Sequence, residues 1–477
     1  MAVVRGNGER GDAVGAKDVV CVWLRCSNSM VQNIEEGMVL FKQPRWAVVV
    51  VVTLLMGLLA SPALAKTEIE IWLGGEPGMV SIFDTLTKQY METNPDVEIT
   101  VTFVGSDLLN PALVPALSAG EGPDIFRFGT GPGQPAAIIE GGLVKDLTHY
   151  YTAYGWDKVI PENVVNYTSS NGKLWAVGDE VENTLMFYNK QIFADLGLDV
   201  PTTMEEFTKL VDTLMDAGYE IPIGLGGADK WPISHWQSML FGRFAGPEGI
   251  DRVMFGDGRW DEPEFVEASR LLQDMAKKGY FGDNPLANGF AEIMEVFWRG
   301  EIPMTFTGPW VIGEAINFLG EDIANFGVLQ IPPLADGQKI YPTEDIGSGW
   351  YINAATEDPD LAAEIIDFLL FRRESRAQLL ASGEDIPVGP IDDLLDEVEM
   401  PALREEMIAL VDRDRGNGTV HSFLDTVQPQ NVTNITYDGL QALLIGMVTP
   451  EEFVAEIQRE WDIAKARGTI LKPGGLR

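Results

Sequence analysis

Ile69, Ile71 and Leu73 alternate with Glu68, Glu70 and Trp72, and Gly74-Gly75 stops the run. A period of two predicts a strand. Val80, Phe83, Leu86, Thr87 and Tyr90 then fall at helical spacing. After the turn Asn94-Pro95-Asp96 the alternation returns over residues 97–104 and predicts a second strand. Residues 108–119 read as a second helix. Gly120, Gly122 and Pro123 turn the chain into a third strand over 124–128. The order β-α-β-α-β predicts an α/β layer with a mostly parallel sheet. Ligands of such sheets sit beyond the carboxyl ends of the strands. Those ends are residues 72–76, 105–107 and 129–131, and they offer Trp72, Glu76 and Thr130.

Further along, residues 136–147 read as a helix and residues 150–171 as a long loop rich in Tyr and Asn. Strands follow near Leu174 and over 185–190. Thr202 and Thr203 each precede a Glu by three residues, and Thr449 precedes Glu452 likewise, so capping boxes are expected there. Pro359 opens a helix that buries Leu361, Ile365, Ile366, Leu369 and Leu370. Phe453, Ile457 and Trp461 share a helix face and read as core. The strands at 340–343 and 347–352 look like a return to the first domain, and the helices from about Met400 lie back on the second. A chain that crosses between domains more than once implies a hinge of several strands.

Composition changes this picture at the N-terminus. Lys42 and Arg45 precede a run over 46–60 that is apolar apart from Thr53 and Gly57, and Ala63-Leu64-Ala65 is a small-x-small site. This is the pattern of a signal peptide, with cleavage after Ala65. Residues 1–37 lie upstream of it, and Met38 or Met30 is the expected start. Cys21 and Cys26 both precede the cleavage site, so the remainder has no Cys, no disulfide and no lipid-modified Cys. A periplasmic or extracellular location without a lipid anchor is expected. The length of 477 residues predicts two domains. The net charge of −38 disfavours nucleic acid and anionic membranes as partners.

The motifs of catalysis are absent. His149, His235 and His421 are isolated, without metal-ligand spacing. Gly129-Thr130-Gly131 and Gly224 to Gly227 lack the ending of a phosphate loop. Residues 412–418 lack the ligand offsets of a calcium loop. Neither metal nor cofactor is expected. What remains is tryptophan. Met304 and Phe306 favour a buried strand, Gly308 allows a bend, and Pro309 fixes φ, so Trp310 stands at a rigid corner. Trp350 also follows glycines, Trp231 and Trp236 lie near a Gly-rich loop, and Trp72 ends the first strand. Trp156, Trp175, Trp260, Trp298 and Trp461 read as packing. Flat aromatics with carboxylates and hydroxyls around them suit the apolar faces and hydroxyl rim of a sugar.

Taken together, motifs in order across most of the chain resemble a carbohydrate-class extracellular solute-binding protein of the maltose-binding-protein type. They are Gly122-Pro123-Asp124-Ile125, Gly141-Gly142-Leu143, Gly172 to Trp175, Phe187 to Lys190, Pro201 through Phe207, Gly300 through Trp310, and Gly347 to Trp350. The resemblance implies a two-lobe periplasmic-binding-protein fold with a multi-strand hinge and an inter-lobe ligand cleft. Lobe I would be 66–179 and 344–398, and lobe II 180–343 and 399–477. It implies a monomer that binds a sugar, does no chemistry, and delivers its ligand to the membrane permease subunits of an importer. The implied contacts are Glu182, six before Tyr188, the stacking Trp310, and the loop bearing Ser348 and Trp350. Trp72, Glu76, Thr130, Trp231 and Trp236 complete the expected site. Departures are Met204 in place of a Trp, Gly129 to Gly131 in place of an Asp-Arg pair, and residues 431–434 in place of a late Trp. They point away from maltose itself. Two other readings stay open: a binder of polyamines or other cations, through cation–π contacts, and a secreted glycosidase using Glu76, Glu180 or Glu182.

Overall fold

The computed structural model describes residues 66–470 apart from 75–77, 132, 347, 384–386, 419 and 422. The expected upstream segment, the signal peptide, Glu76 and Gly347 lie outside the described residues. The strands that position the site are β1 (Thr67–Leu73), β2 (Val97–Phe103), β3 (Ile125–Gly129), β4 (Val177–Gly178), β5 (Glu182–Asn183) and β6 (Leu185–Asn189). They continue with β7 (Ile223–Gly224), β8 (Met304–Thr307), β9 (Phe326–Leu329), β10 (Thr343–Asp345), β11 (Ser348–Ile352) and β12 (Val420–His421). The helices used below are α1 (Gly78–Thr93), α2 (Ser106–Ser118), α3 (Met204–Asp216), α4 (Trp231–Phe255), α5 (Ile312–Leu319) and α6 (Pro359–Leu370). After them come α7 (Arg373–Ser382), α8 (Ala402–Arg415), α9 (Leu424–Val427), α10 (Gln430–Leu444) and α11 (Pro450–Arg467).

The first sheet has the order β2-β1-β3-β11-β4. β1 is parallel to β2 and β3, as the β-α-β-α-β pattern predicts, and α1 and α2 are the crossovers. β11 and β4 complete it antiparallel, with Trp350 opposite Arg127. The alternation along β1 divides the lobe. Ile69, Ile71 and Leu73 face a core with Phe83 and Leu86 of α1 and Ile365 and Leu369 of α6. Trp72 faces the other way, against the layer of Leu109 and Leu113 from α2 and Phe126 and Tyr351 from the sheet. The last two rings stack at 5.3 Å.

The second lobe is built on the sheet β9-β6-β8-β7. β6 lies antiparallel between β8 and β9, with Leu185 opposite Thr307. A third, small sheet, β12-β10-β5, joins segments that pass between the lobes. Glu180 makes a further isolated bridge with Pro387.

The capping signals are present: Thr203 accepts from the Glu206 N–H at α3, and Thr449 with Glu452 forms a full capping box at α11. The 150–171 segment is a correction. It holds the helices Thr148–Ala153 and Glu162–Thr168 and a hairpin of Ser169–Ser170 with Lys173–Leu174. Trp156, Ile160 and Val164 are buried at a spacing of four, but Gly155 and Pro161 interrupt that period and disguise it as loop.

Candidate ligand site

The Gly308-Pro309-Trp310 corner follows β8, and Pro309 opens a short 3₁₀ turn, Pro309–Val311. Gly308 is extended, at φ −122°, so its value is not a left-handed bend. A Cβ there would collide with the Trp310 ring, which folds back over the glycine. The ring is thereby held half-buried, with no hydrogen-bond partner for its Nε1 among the described residues.

Around it the chain assembles an aromatic wall. Trp231 lies 6.0 Å from Trp310, and His235, one turn along α4, lies 5.5 Å from it. Phe423 stacks on His235 at 4.1 Å and meets Trp310 edge-on at 6.4 Å. Phe290 backs Trp231 at 4.4 Å. Lys230, just before Trp231, has φ +68°, an uncommon conformation for a residue with a side chain. Its Nζ is tied to Asp438 at 2.6 Å. β5, which carries Glu182, packs against the 309–311 turn, so Glu182 and Trp310 share this end of the lobe. Glu182 is half-buried, and its backbone pairs with Asp345 across the hinge sheet.

Burial pulls the His235 pKa down to about 3, which leaves a neutral imidazole. Asp425 of α9 is buried, and its carboxyl is pushed up to about 6 by desolvation, opposed by a hydrogen bond from Tyr437 Oη at 2.6 Å. Its Oδ1 has no hydrogen-bond partner among the described residues.

At the hinge, Arg127 of β3 lies fully inside. Its Nε donates to Asp179 at 2.5 Å, its Nη2 to Glu180 at 2.6 Å and its Nη1 to the Gly74 carbonyl at 3.0 Å. This cluster ties the ends of β1 and β3 to the first crossing strand. Its charge is used within the protein.

The expected site residues divide. Glu182, Trp231 and Trp310 come together. Trp236 and Trp350 do not join them. Trp236 is 1% exposed and packs on Phe281 and Phe306 in the core of the second lobe. Trp350 is 0% exposed, packs on Phe83 at 4.8 Å and donates to Asp179 at 2.8 Å. Thr130 is buried, and its hydroxyl is committed to the Ile346 carbonyl. Trp72 covers the α2 face of the sheet, with its Nε1 held by Glu70 two residues back at 2.7 Å. In each of these four, packing or an internal bond already engages the group. Ser348 is half-buried at the start of β11. Sequence reasoning missed His235, Phe423, Asp425 and Arg127. Only the tryptophans had a local signal.

The lobes also meet beside the hinge. The Gly133 N–H donates to the Thr426 carbonyl at 3.1 Å, and Cβ atoms on Gly131 and Gly133 would press into the backbone of 426–428. A separate groove of about 520 Å³, lined by Tyr90, Glu92, Glu364, Phe368 and Arg372, shares no residue with the wall. Among the described residues no group of His, Cys, Asp or Glu could hold a metal ion, and no helix is long and apolar enough to cross a membrane.

The chain is 26% identical over 343 residues to the maltotriose-binding protein of Pyrococcus abyssi, covering 70% of this chain and 68% of that one. It is 25% identical over 330 residues to the sn-glycerol-3-phosphate-binding periplasmic protein of Salmonella typhimurium, covering 64% and 71%. A chitin oligosaccharide binding protein has the same two-lobe fold, with a TM-score of 0.75 at 21% identity over 84% of this chain and 99% of that one. Residues 76–373 match the sequence profile of the bacterial extracellular solute-binding proteins, well over half of the chain, and this protein belongs to that family.

Proposed function

We propose that this protein captures a neutral sugar or short oligosaccharide between its lobes and delivers it to the permease subunits of an ATP-driven importer, without chemical turnover. The observation that carries this reading is the wall of Trp231, His235 and Trp310. It offers the half-buried aromatic faces of Trp231 and Trp310, with uncharged nitrogens of His235 and Trp310 buried among the rings, a composition that suits the C–H face and hydroxyls of a pyranose. The maltotriose- and chitin-oligosaccharide-binding relatives support the same class.

Other ligand classes fit less well. A phosphate ester, as bound by the glycerol-phosphate relative, needs cationic donors. Lys230 beside the wall is paired with Asp438, and the buried Arg127 is held by Asp179 and Glu180. A polyamine needs carboxylates converging on the aromatic faces. The two carboxylates at the hinge, Asp179 and Glu180, already share Arg127, and Glu182 beside the Trp310 turn is a single carboxylate rather than a converging pair.

We further propose lobe I as 66–179 with 344–398 and lobe II as 180–343 with 399–477. The protein would act as a monomer outside the cytoplasmic membrane after cleavage at Ala65. Ligand would favour the closed form because both lobes then contact it. A thermal-shift screen tests the ligand class. Neutral sugars should raise the unfolding midpoint, while spermidine and sn-glycerol 3-phosphate should not. A shift with either charged solute and none with sugars would reverse the assignment. Release of reducing sugar, lost in Glu182→Gln, would show a glycosidase instead.

A further inference from the structure

The aromatic wall holds one polar group that packing alone does not explain. His235 is 7% exposed and lies among Phe423, Trp310 and Trp231, at 4.1, 5.5 and 5.0 Å. Its Nδ1 has no hydrogen-bond partner among the described residues. Desolvation alone keeps the ring neutral. A phenylalanine would fill the same stack without stranding a nitrogen, and a stranded buried polar atom carries a free-energy penalty. The adjoining Trp310 is half-buried, and its Nε1 is likewise without a partner among the described residues. Two directional, uncharged groups are therefore buried within the wall without partners among the described residues. A neutral imidazole has one donating and one accepting nitrogen, and an indole N–H only donates. That pair matches hydroxyls, which both give and accept. An anionic ligand group would lose its hydration here without a compensating positive charge.

We propose that His235 is a specificity-determining ligand contact, hydrogen-bonding a hydroxyl of a neutral sugar ring held against Trp310 and Trp231. This rests on the sugar reading above and narrows it to ligands with an uncharged polyhydroxyl ring at this position. His235 would reject ring analogues that lack the matching hydroxyl, because its nitrogen would then stay buried and unmatched.

The test is calorimetric titration of wild type, His235→Phe and His235→Asn with maltotriose, raffinose and chitotriose. Wild type should bind at least one. His235→Phe keeps the ring against Phe423 but has no nitrogen, so it should bind that sugar about tenfold or more weakly, the loss of one buried hydrogen bond. Its unliganded unfolding midpoint should be equal to or above that of wild type, a combination that a purely structural role would not give. His235→Asn, which keeps an amide nitrogen near the Nδ1 position, should retain more affinity than His235→Phe. His235→Phe binding within about twofold of wild type would overturn the proposal and leave the sugar reading standing. Wild type binding none of the three sugars would overturn the sugar reading and this proposal together.

Discussion

Trp310 and Trp350 follow similar motifs, Gly308-Pro309-Trp310 and Gly347-Ser348-Gly349-Trp350, yet end in opposite environments. Trp310 stands outside its strand, on a 3₁₀ turn, half-buried. Trp350 stands inside β11, where the pleat turns it toward Phe83, and Asp179 takes its indole N–H. The glycines differ in purpose too. Gly308 makes room for the Trp310 ring, whereas Gly349 makes room for Thr130 and Ala176 from neighbouring segments of the same lobe. A glycine before a tryptophan therefore does not mark a pocket. What decides is whether the tryptophan sits in the strand register or at its end, and whether its N–H already has a partner.

That contrast can be broken by deletion. Trp350→Ala should destabilise the protein by about 3–5 kcal/mol in chemical denaturation, since it opens a large cavity in the first lobe and removes a donor to Asp179. Trp310→Ala should lower stability by only about 1–2 kcal/mol while removing sugar binding. Equal losses of stability would mean that the corner is ordinary core.

Two buried titratable groups near the wall sharpen the comparison further. Asp425→Asn keeps an oxygen for Tyr437 and removes a desolvated carboxylate, so stability at pH 7 should rise by about 1–2 kcal/mol. The folded carboxyl is raised to about 6, so its contribution is fully present below 3.8 and is lost as pH climbs through about 6. The variant should therefore gain nothing in acid. The other group is His235. Its folded pKa is depressed to about 3, so the unfolded chain takes up a proton first as pH falls below 6.5. Its contribution to stability is present above 6.5 and declines toward pH 3, by at most about 1.4 kcal/mol per pH unit. Denaturation of His235→Phe between pH 7 and 4 should show a shallower acid loss than wild type.

Much of the fold is written locally. The alternation of Ile69, Ile71 and Leu73, the helical spacing from Val80 to Tyr90, and the Thr449–Glu452 box all act within one element, so a sequence window contains them. The site is less legible because its partners are remote. Arg127 lies in an apolar strand and reads as a surface residue until Asp179 and Glu180, 52 and 53 residues away, close on it. His235 looks isolated because Trp310 and Phe423 arrive from other elements. Trp72 shows a different limit of the sequence: it does end a strand, but the face it occupies, which the α2 layer partly covers, depends on a helix more than 30 residues away.

The reading above places the sugar on the Trp310 side of the molecule. Calorimetric titration of wild type, Trp310→Ala and Trp72→Ala, with whichever neutral sugar gives the largest thermal shift, decides whether it binds there. Trp310→Ala should remain folded and bind at least about a hundredfold more weakly, a loss of about 2.7 kcal/mol, while Trp72→Ala should bind as wild type does. Undiminished binding by folded Trp310→Ala would contradict it.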